Sequence, residues 1–116
     1  MTAKFVIKQD LNNQYYFQFL DSNNDIVLLS SRYDSKSSVD AAIKDVQLNS
    51  LMSQQLAGGR TEDGEMFFVI KGSDGGVIVK SALYVSQMKM DNALHLVKDN
   101  ACVAEVKDFS VTEKIQ

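Results

Sequence analysis

Residues 30–49, SSRYDSKSSVDAAIKDVQLN, and residues 81–100, SALYVSQMKMDNALHLVKDN, carry one pattern 51 positions apart without a gap. At that offset Phe17/Phe68, Ser22/Ser73, Ser30/Ser81, Tyr33/Tyr84, Ser35/Ser86, Asp40/Asp91, Ala42/Ala93, Val46/Val97 and Asn49/Asn100 are identical. Where the letters differ the chemistry holds, as in Tyr15/Met66, Phe19/Ile70 and Ile43/Leu94. An internal period of this kind means one supersecondary unit written twice. A unit of about 50 residues with one helix has too little apolar surface to stand alone, so two copies must bury their faces together. The expectation is one domain built from repeats at about 3–56 and 57–109, with a short C-terminal tail at 110–116.

Within each copy the side-chain period identifies the elements. QYYFQFL alternates, sending Tyr15, Phe17 and Phe19 to one side and Tyr16, Gln18 and Leu20 to the other, and EMFFVIK repeats this with Met66, Phe68 and Ile70 against Phe67, Val69 and Lys71. The turns DSNND and GSDGG supply Asn and Gly for the positive φ of tight hairpins. The following strands, IVLLS and VIVKS, set Lys80 opposite Leu29 in the alignment, so the face with residues 27, 29, 78 and 80 is expected to be the wetter one. The period then becomes 3.6: Val39, Ala42, Ile43 and Val46, and likewise Met90, Ala93, Leu94 and Val97, form one apolar helix stripe per copy. Ser35 and Ser86 stand where an N-cap hydroxyl is wanted, and Asn49 and Asn100 where a left-handed residue can close a helix. KFVIKQ and LAGGRT read as opening strands, LMSQQL and ACVAEVKD as closing ones, so each unit is β(3)-α-β.

These residues resemble the YegP family of small bacterial proteins. The likeness lies in the aromatic strand, polar hairpin, second strand ending in Ser, Tyr-x-Ser and helix ending in Asn: QYYFQFLDSNNDIVLLSSRYDSK with IKDVQLN, then EMFFVIKGSDGGVIVKSALYVSQ with LHLVKDN. It covers nearly the whole chain. It implies an α+β fold in which two tandem β(3)-α-β repeats form one shared antiparallel sheet with exchanged last strands and two helices on one face. The family has no established biochemical activity, so the resemblance speaks for fold alone.

Composition narrows function by exclusion. The net charge is −3, from 12 Lys/Arg against 15 Asp/Glu, and neither half holds a basic arm, which argues against duplex nucleic acid. No apolar run is long enough to span a bilayer and no signal segment opens the chain, so a soluble cytoplasmic protein is expected. The single Cys102 builds neither a disulfide nor a zinc site. His95 is the only histidine, on the helix side away from the apolar stripe. Cys102 aligns with Leu51 and reads as a buried, inert strand thiol. With no paired nucleophile and base, no metal cluster and no phosphate loop, the expectation is no catalytic, cofactor-binding or metal site.

A face remains. If both helices cover one side of the sheet, the other keeps Tyr16, Gln18, Leu20 and Leu29 with Phe67, Val69, Lys71 and Lys80. That is more apolar surface than an inert monomer leaves wet. The expected function is a non-enzymatic binding or protein-interaction module using that face. A protein, a small ligand and, as an alternative, weakly bound single-stranded nucleic acid are open as partners, and an uncharacterised small-molecule enzyme stays as a further alternative. The chain is expected to be a monomer that is its own pseudo-dimer, with weak homodimerisation through the face still open. Tyr33 and Tyr84 are a second candidate, read either as rings packed at the sheet–helix junction or as a pair of ligand-facing hydroxyls.

Overall fold

The computed structural model describes residues 3–110. Its elements are β1 (Lys4–Gln9), β2 (Tyr15–Leu20), β3 (Ile26–Ser30), α1 (Lys36–Asn49), β4 (Leu56–Arg60), β5 (Met66–Lys71), β6 (Val77–Ser81), α2 (Gln87–Asn100) and β7 (Glu105–Asp108), with short 3₁₀ turns at Ser53–Gln55 and Ala101–Val103. Adding 51 to the bounds of β2, β3 and α1 gives those of β5, β6 and α2. The strands form one sheet in the order β4-β5-β6-β3-β2-β1-β7. The halves meet where β3 and β6 pair antiparallel, Leu28 with Ser81, Leu29 with Lys80 and Ser30 with Val79. Exchanging the copies leaves this register unchanged, so a pseudo-two-fold axis passes by Leu29 and Lys80.

One core forms on one side of the sheet. Phe5, Ile7, Phe17, Phe19, Leu28, Phe68, Ile70 and Val79 from the strands meet Val39, Ile43, Val46 and Val97 from both helices. Phe5 anchors the first half, edge-on to Phe17 at 5.9 Å and tilted on Phe19 at 4.8 Å. The strand parity expected from the sequence therefore holds, and both helices lie on the same face.

The sheet differs from the expected one in two respects. It is mixed, because β7 runs parallel to β1, Phe5 opposite Val106. Only β7 crosses to the other copy: LMSQQL forms a turn and the Ser53–Gln55 3₁₀ segment before entering β4 at Leu56. The physical reason is the linker. Residues 54–57 correspond to β7 and residues 55–60 to β1, so one stretch cannot be both the closing strand of the first copy and the opening strand of the second. β4 thus straddles the expected boundary between repeats. Of the expected tail, Ser110 is buried and bonded to Asp108, and residues 111–116 lie outside the described residues.

Local chemistry repeats with the fold. The hairpin residues Asn13 and Gly64, and Asn24 and Gly75, are equivalent pairs and all have positive φ. Ser35 Oγ accepts from Ser38 N–H and Ser86 Oγ from Lys89 N–H, each at 3.2 Å, as N-caps do. The closing asparagines act differently from expectation. Neither is left-handed; Asn49 donates to Asp45 Oδ1 at 2.9 Å and Asn100 to the Leu96 carbonyl at 2.8 Å, one turn back. Val27 and Ile78 are also corrected. A bulge in each copy skips one residue opposite the first long strand, turning both into the core and leaving Leu29 and Lys80 outside.

Candidate functional site

The helix-free face is defined by an unbroken row of paired residues across all seven strands: Ala57, Val69, Lys80, Leu29, Gln18, Val6 and Lys107. Flanking pairs on the same parity add Phe67 beside Gly59, Tyr16 beside Lys8, and Leu20 beside Lys4. Of the expected face, Tyr16, Leu20, Phe67, Val69 and Lys71 are half-buried, and Gln18 is 8% exposed, sealed among its strand neighbours. Leu29 and Lys80 are exposed. The face is therefore a tight mosaic in which rings and long stems cover one another.

Each ring carries a cation. The Arg32 guanidinium lies 4.0 Å from the Tyr16 centroid and Lys80 Nζ 4.5 Å from that of Phe67. Alignment of the repeats does not reveal this, because the two cations are not equivalent: Arg32 aligns with Leu83 and Lys80 with Leu29. The same arrangement is reached by different residues. Arg32 Nε also binds Asp10 Oδ2 at 3.0 Å. The Asp10 carboxyl is held below the usual carboxylate range chiefly by the backbone N–H of Gln14; desolvation opposes this, and Asn12 N–H and Arg32 add to the lowering. Phe67 lies over Gly59, where a Cβ would stand 2.5 Å from the ring's Cζ.

Charge is segregated by strand parity. The strand positions on this face hold Lys4, Lys8, Lys71, Lys80 and Lys107 against one acid, Glu105, which is paired with Lys107 at 3.1 Å. The helices are balanced, with Lys36, Lys44, Lys89 and Lys98 against Asp40, Asp45, Asp91 and Asp99, and the excess of acid lies in the hairpins and turns, among them Asp10, Asp21, Asp25, Glu62, Asp63 and Asp74. A whole-chain balance averages the face with the acidic hairpins and hides the difference.

The other candidates fall out differently. Tyr33 and Tyr84 each make a two-bond backbone bridge, to Tyr15 and Met66, at 2.7–2.8 Å, and their rings pack on the core. Burial raises both hydroxyl pKa values, helped by Asp45 beside Tyr33 and Asp21 beside Tyr84. The carboxylates come from non-equivalent positions, so the two sites are not chemical copies. Tyr33 also lines a cleft of about 470 Å³ with Ser38, Asp45, Ser73, Asp74 and Ile78. Cys102 is exposed in the Ala101–Val103 turn, which corrects its reading as a buried strand thiol: its counterpart Leu51 is itself an exposed turn residue. His95 is exposed on α2. Among the described residues no three His, Cys, Asp or Glu side chains gather as metal ligands, and no helix is long and apolar enough to cross a membrane.

Comparison with known proteins agrees with the repeat. Two segments, residues 10–53 and 62–108, match the domain of unknown function DUF1508. A UPF0339 protein of Bordetella pertussis is 33% identical over 108 residues, covering 93% of this chain and 96% of the relative. UPF0339 protein YegP of Yersinia pestis is 33% identical over 107 residues, covering 92% and 96%. The solution structure of a UPF0339 protein of Shewanella oneidensis superposes with a TM-score of 0.92 over 98% of this chain and 97% of that one, at 24% identity. That of YegP from Escherichia coli gives 0.88 over 95% of both, at 25% identity. With two matching segments around one shared sheet, the chain belongs to the UPF0339 (YegP) family, built on a tandem DUF1508 domain whose function is unknown.

Proposed function

We propose that the chain is a non-enzymatic binding module, working in the reducing cytoplasm, whose helix-free sheet face takes single-stranded nucleic acid. The observation that carries this reading is the parity-sorted face, whose strand positions hold five lysines against one acid and whose two half-buried rings lie under Arg32 and Lys80. A base stacks on a ring irrespective of sequence, and the neighbouring cations neutralise phosphates. The overall acidity comes from the hairpins and turns at the strand ends, and the helices are neutral. A helix is about 10 Å thick, and at physiological salt charges are screened over about 8 Å, so the helix carboxylates are largely invisible from the opposite face. The sheet spacing supports two separate platforms, since β2 and β5 are three strand intervals apart, about 14 Å.

The test is fluorescence anisotropy with labelled oligo-dT across a salt series. If four lysines engage, the slope of log K against log salt is about −3. Tyr16→Ala and Phe67→Ala should each weaken binding about five-fold or more, the equivalent of at least about 1 kcal/mol of stacking. Poly-glutamate competing as well as the oligonucleotide would instead favour an acidic protein partner. Loss of binding in His95→Ala but not in the ring variants would sink the face reading.

A further inference from the structure

We infer that the outer edge of β4, together with the neighbouring side of α2, is an acceptor site for an extended segment of a partner polypeptide, added parallel to β4. The pseudo-two-fold axis supplies the argument. On the first half, β7 lies outside β1 with Phe5 opposite Val106 and Ile7 opposite Asp108, and the Ile7 carbonyl accepts from Phe109 N–H at 2.9 Å. The equivalents of Phe5 and Ile7 are Leu56 and Gly58 in β4. Among the described residues β4 ends the sheet, pairs only with β5, and leaves Gly58 exposed. The linker that had to become β4 could not also supply a strand beside it.

The helix on that side shows the same asymmetry. Val106, 44% exposed, lines a shallow cleft of about 200 Å³ with Asp40, Ile43, Lys44 and Gln47 of α1, and the α1 stripe beneath is buried. The corresponding side of α2 is marked by Leu94, and there Met90, Ala93 and Leu94 stay half-buried, with only Val97 buried. Two copies of one stripe thus differ in cover, and the half that lacks a seventh-strand counterpart is the less covered one.

The edges differ in their protection too. β7 is four residues long, and three of them are charged; Asp108 is tied to Lys36 of α1. β4 reads LAGGR, with no charge before Arg60 and no proline, which is how an edge open to pairing looks. A second copy is a poor occupant. Two β4 edges related by a two-fold pair antiparallel, which about Gly58 sets Arg60 and not an apolar residue opposite Leu56, and the second copy's β7 is held on its own β1. A partner segment with an apolar residue opposite Leu56, at the place Val106 holds beside β1, completes the ladder and adds cover along the half-buried side of α2. Lys36 has Gln87 as its counterpart, so an acidic residue two positions later is not required.

The probe is a capped peptide with the sequence of residues 104–110, AEVKDFS, titrated into the isotope-labelled full chain and followed by NMR. Saturable shifts of the Leu56 and Gly58 amides and the Leu94 methyls are expected, and replacing the peptide's valine by aspartate should remove them. Gly58→Pro should weaken binding ten-fold or more while the sheet survives, because an edge strand tolerates proline where its N–H faces outward. Leu94→Lys should act likewise without touching the backbone. Absence of saturable shifts would overturn the assignment, as would shifts confined to Phe5 and Ile7, which would mean exchange with the chain's own β7. Association of the chain with itself, abolished by Gly58→Pro, would overturn it in favour of a second copy.

Discussion

Replacing Ser30 and Ser81 by alanine tests how the two central strands of each half are held together within the sheet. Each hydroxyl stands in for a backbone carbonyl: Ser30 Oγ accepts from Phe17 N–H at 2.9 Å and donates to the Ser31 carbonyl at 2.8 Å, and Ser81 Oγ does the same between Phe68 N–H and the Ala82 carbonyl at the same distances. Both serines are buried. Alanine would leave a buried N–H unpaired, which costs about 1–3 kcal/mol per site. The N-cap serines Ser35 and Ser86 also satisfy one N–H each, but at the surface, where removal costs about 0.5–2 kcal/mol. The ladder serines should therefore be the costlier pair. Ser30 bonds toward β2 and Ser81 toward β5, away from each other, so the double change should be nearly additive at about 2–6 kcal/mol, comparable with the total stability of a small domain of about 5–15 kcal/mol. Urea titrations of the four singles and the Ser30/Ser81 double give the ranking. Ladder changes near zero, or smaller than the cap changes, would refute the claim that these hydroxyls complete the sheet.

Further outcomes rest on the same structure. Gly59→Ala should displace the Phe67 ring, because the new Cβ would lie 2.5 Å from it, and should change the ring's proton shifts and lower oligonucleotide affinity by about the five-fold of losing one stacking ring. Phe17→Ala and Phe68→Ala should each destabilise by about 3–5 kcal/mol in denaturant melts, being fully buried core rings. Acid should loosen β7 first. Burial alone would raise the Asp108 pKa, but hydrogen bonds from Lys36 and Ser110 outweigh it and lower it, so its stabilisation is complete above the ordinary Asp value of about 3.9 and disappears as pH falls through the lower folded value. The Lys36 pKa is raised by Asp108, so that partner's share is complete below about 10.4 and is lost as pH climbs through its higher folded value. Amide exchange in residues 105–108 should be pH-independent in relative protection between those limits.

How much of this is legible in the sequence depends on whether the cause is local. Strand parity around Phe17 and Phe68, the helix stripes and the serine caps are set by neighbouring residues, and the ungapped offset makes each half a check on the other. The direction of β7 is not legible, since parallel pairing with β1 is decided by the path of the chain after α2. The bulges that turn Val27 and Ile78 inward leave no mark in an alternation of apolar residues. Repetition also misleads at one point: alignment with Leu51 suggests a strand position for Cys102, although both residues lie in turns after their helices. The cations over Tyr16 and Phe67 are hidden because they occupy non-equivalent positions, where comparison of repeats sees only a mismatch.

That mismatch shows what duplication leaves free to change. The pseudo-two-fold demands identity where one residue serves the fold in both halves, and the identical pairs Ser30/Ser81, Phe17/Phe68 and Val46/Val97 are all buried. Away from the core the halves have separated. Ring and cation are reunited by Arg32 in one half and Lys80 in the other, and the linker's double duty leaves β4 bare where β1 is covered. A surface under no constraint would be expected to lose the ring–cation pairing in one half once its residues ceased to be equivalent. Its presence in both halves, built from different positions, is what sheet stiffening by aromatic pairs alone does not require, since stiffening needs the rings and not the cations. The pairing therefore bears on binding. Arg32→Gln and Lys80→Gln should leave the urea midpoint nearly unchanged, as exposed cation–π interactions contribute only about 0.5–1 kcal/mol, and should flatten the salt slope of oligonucleotide binding by about 0.7 for each phosphate that is no longer neutralised. Equal salt slopes in the wild type and both variants would leave the cations a purely structural part.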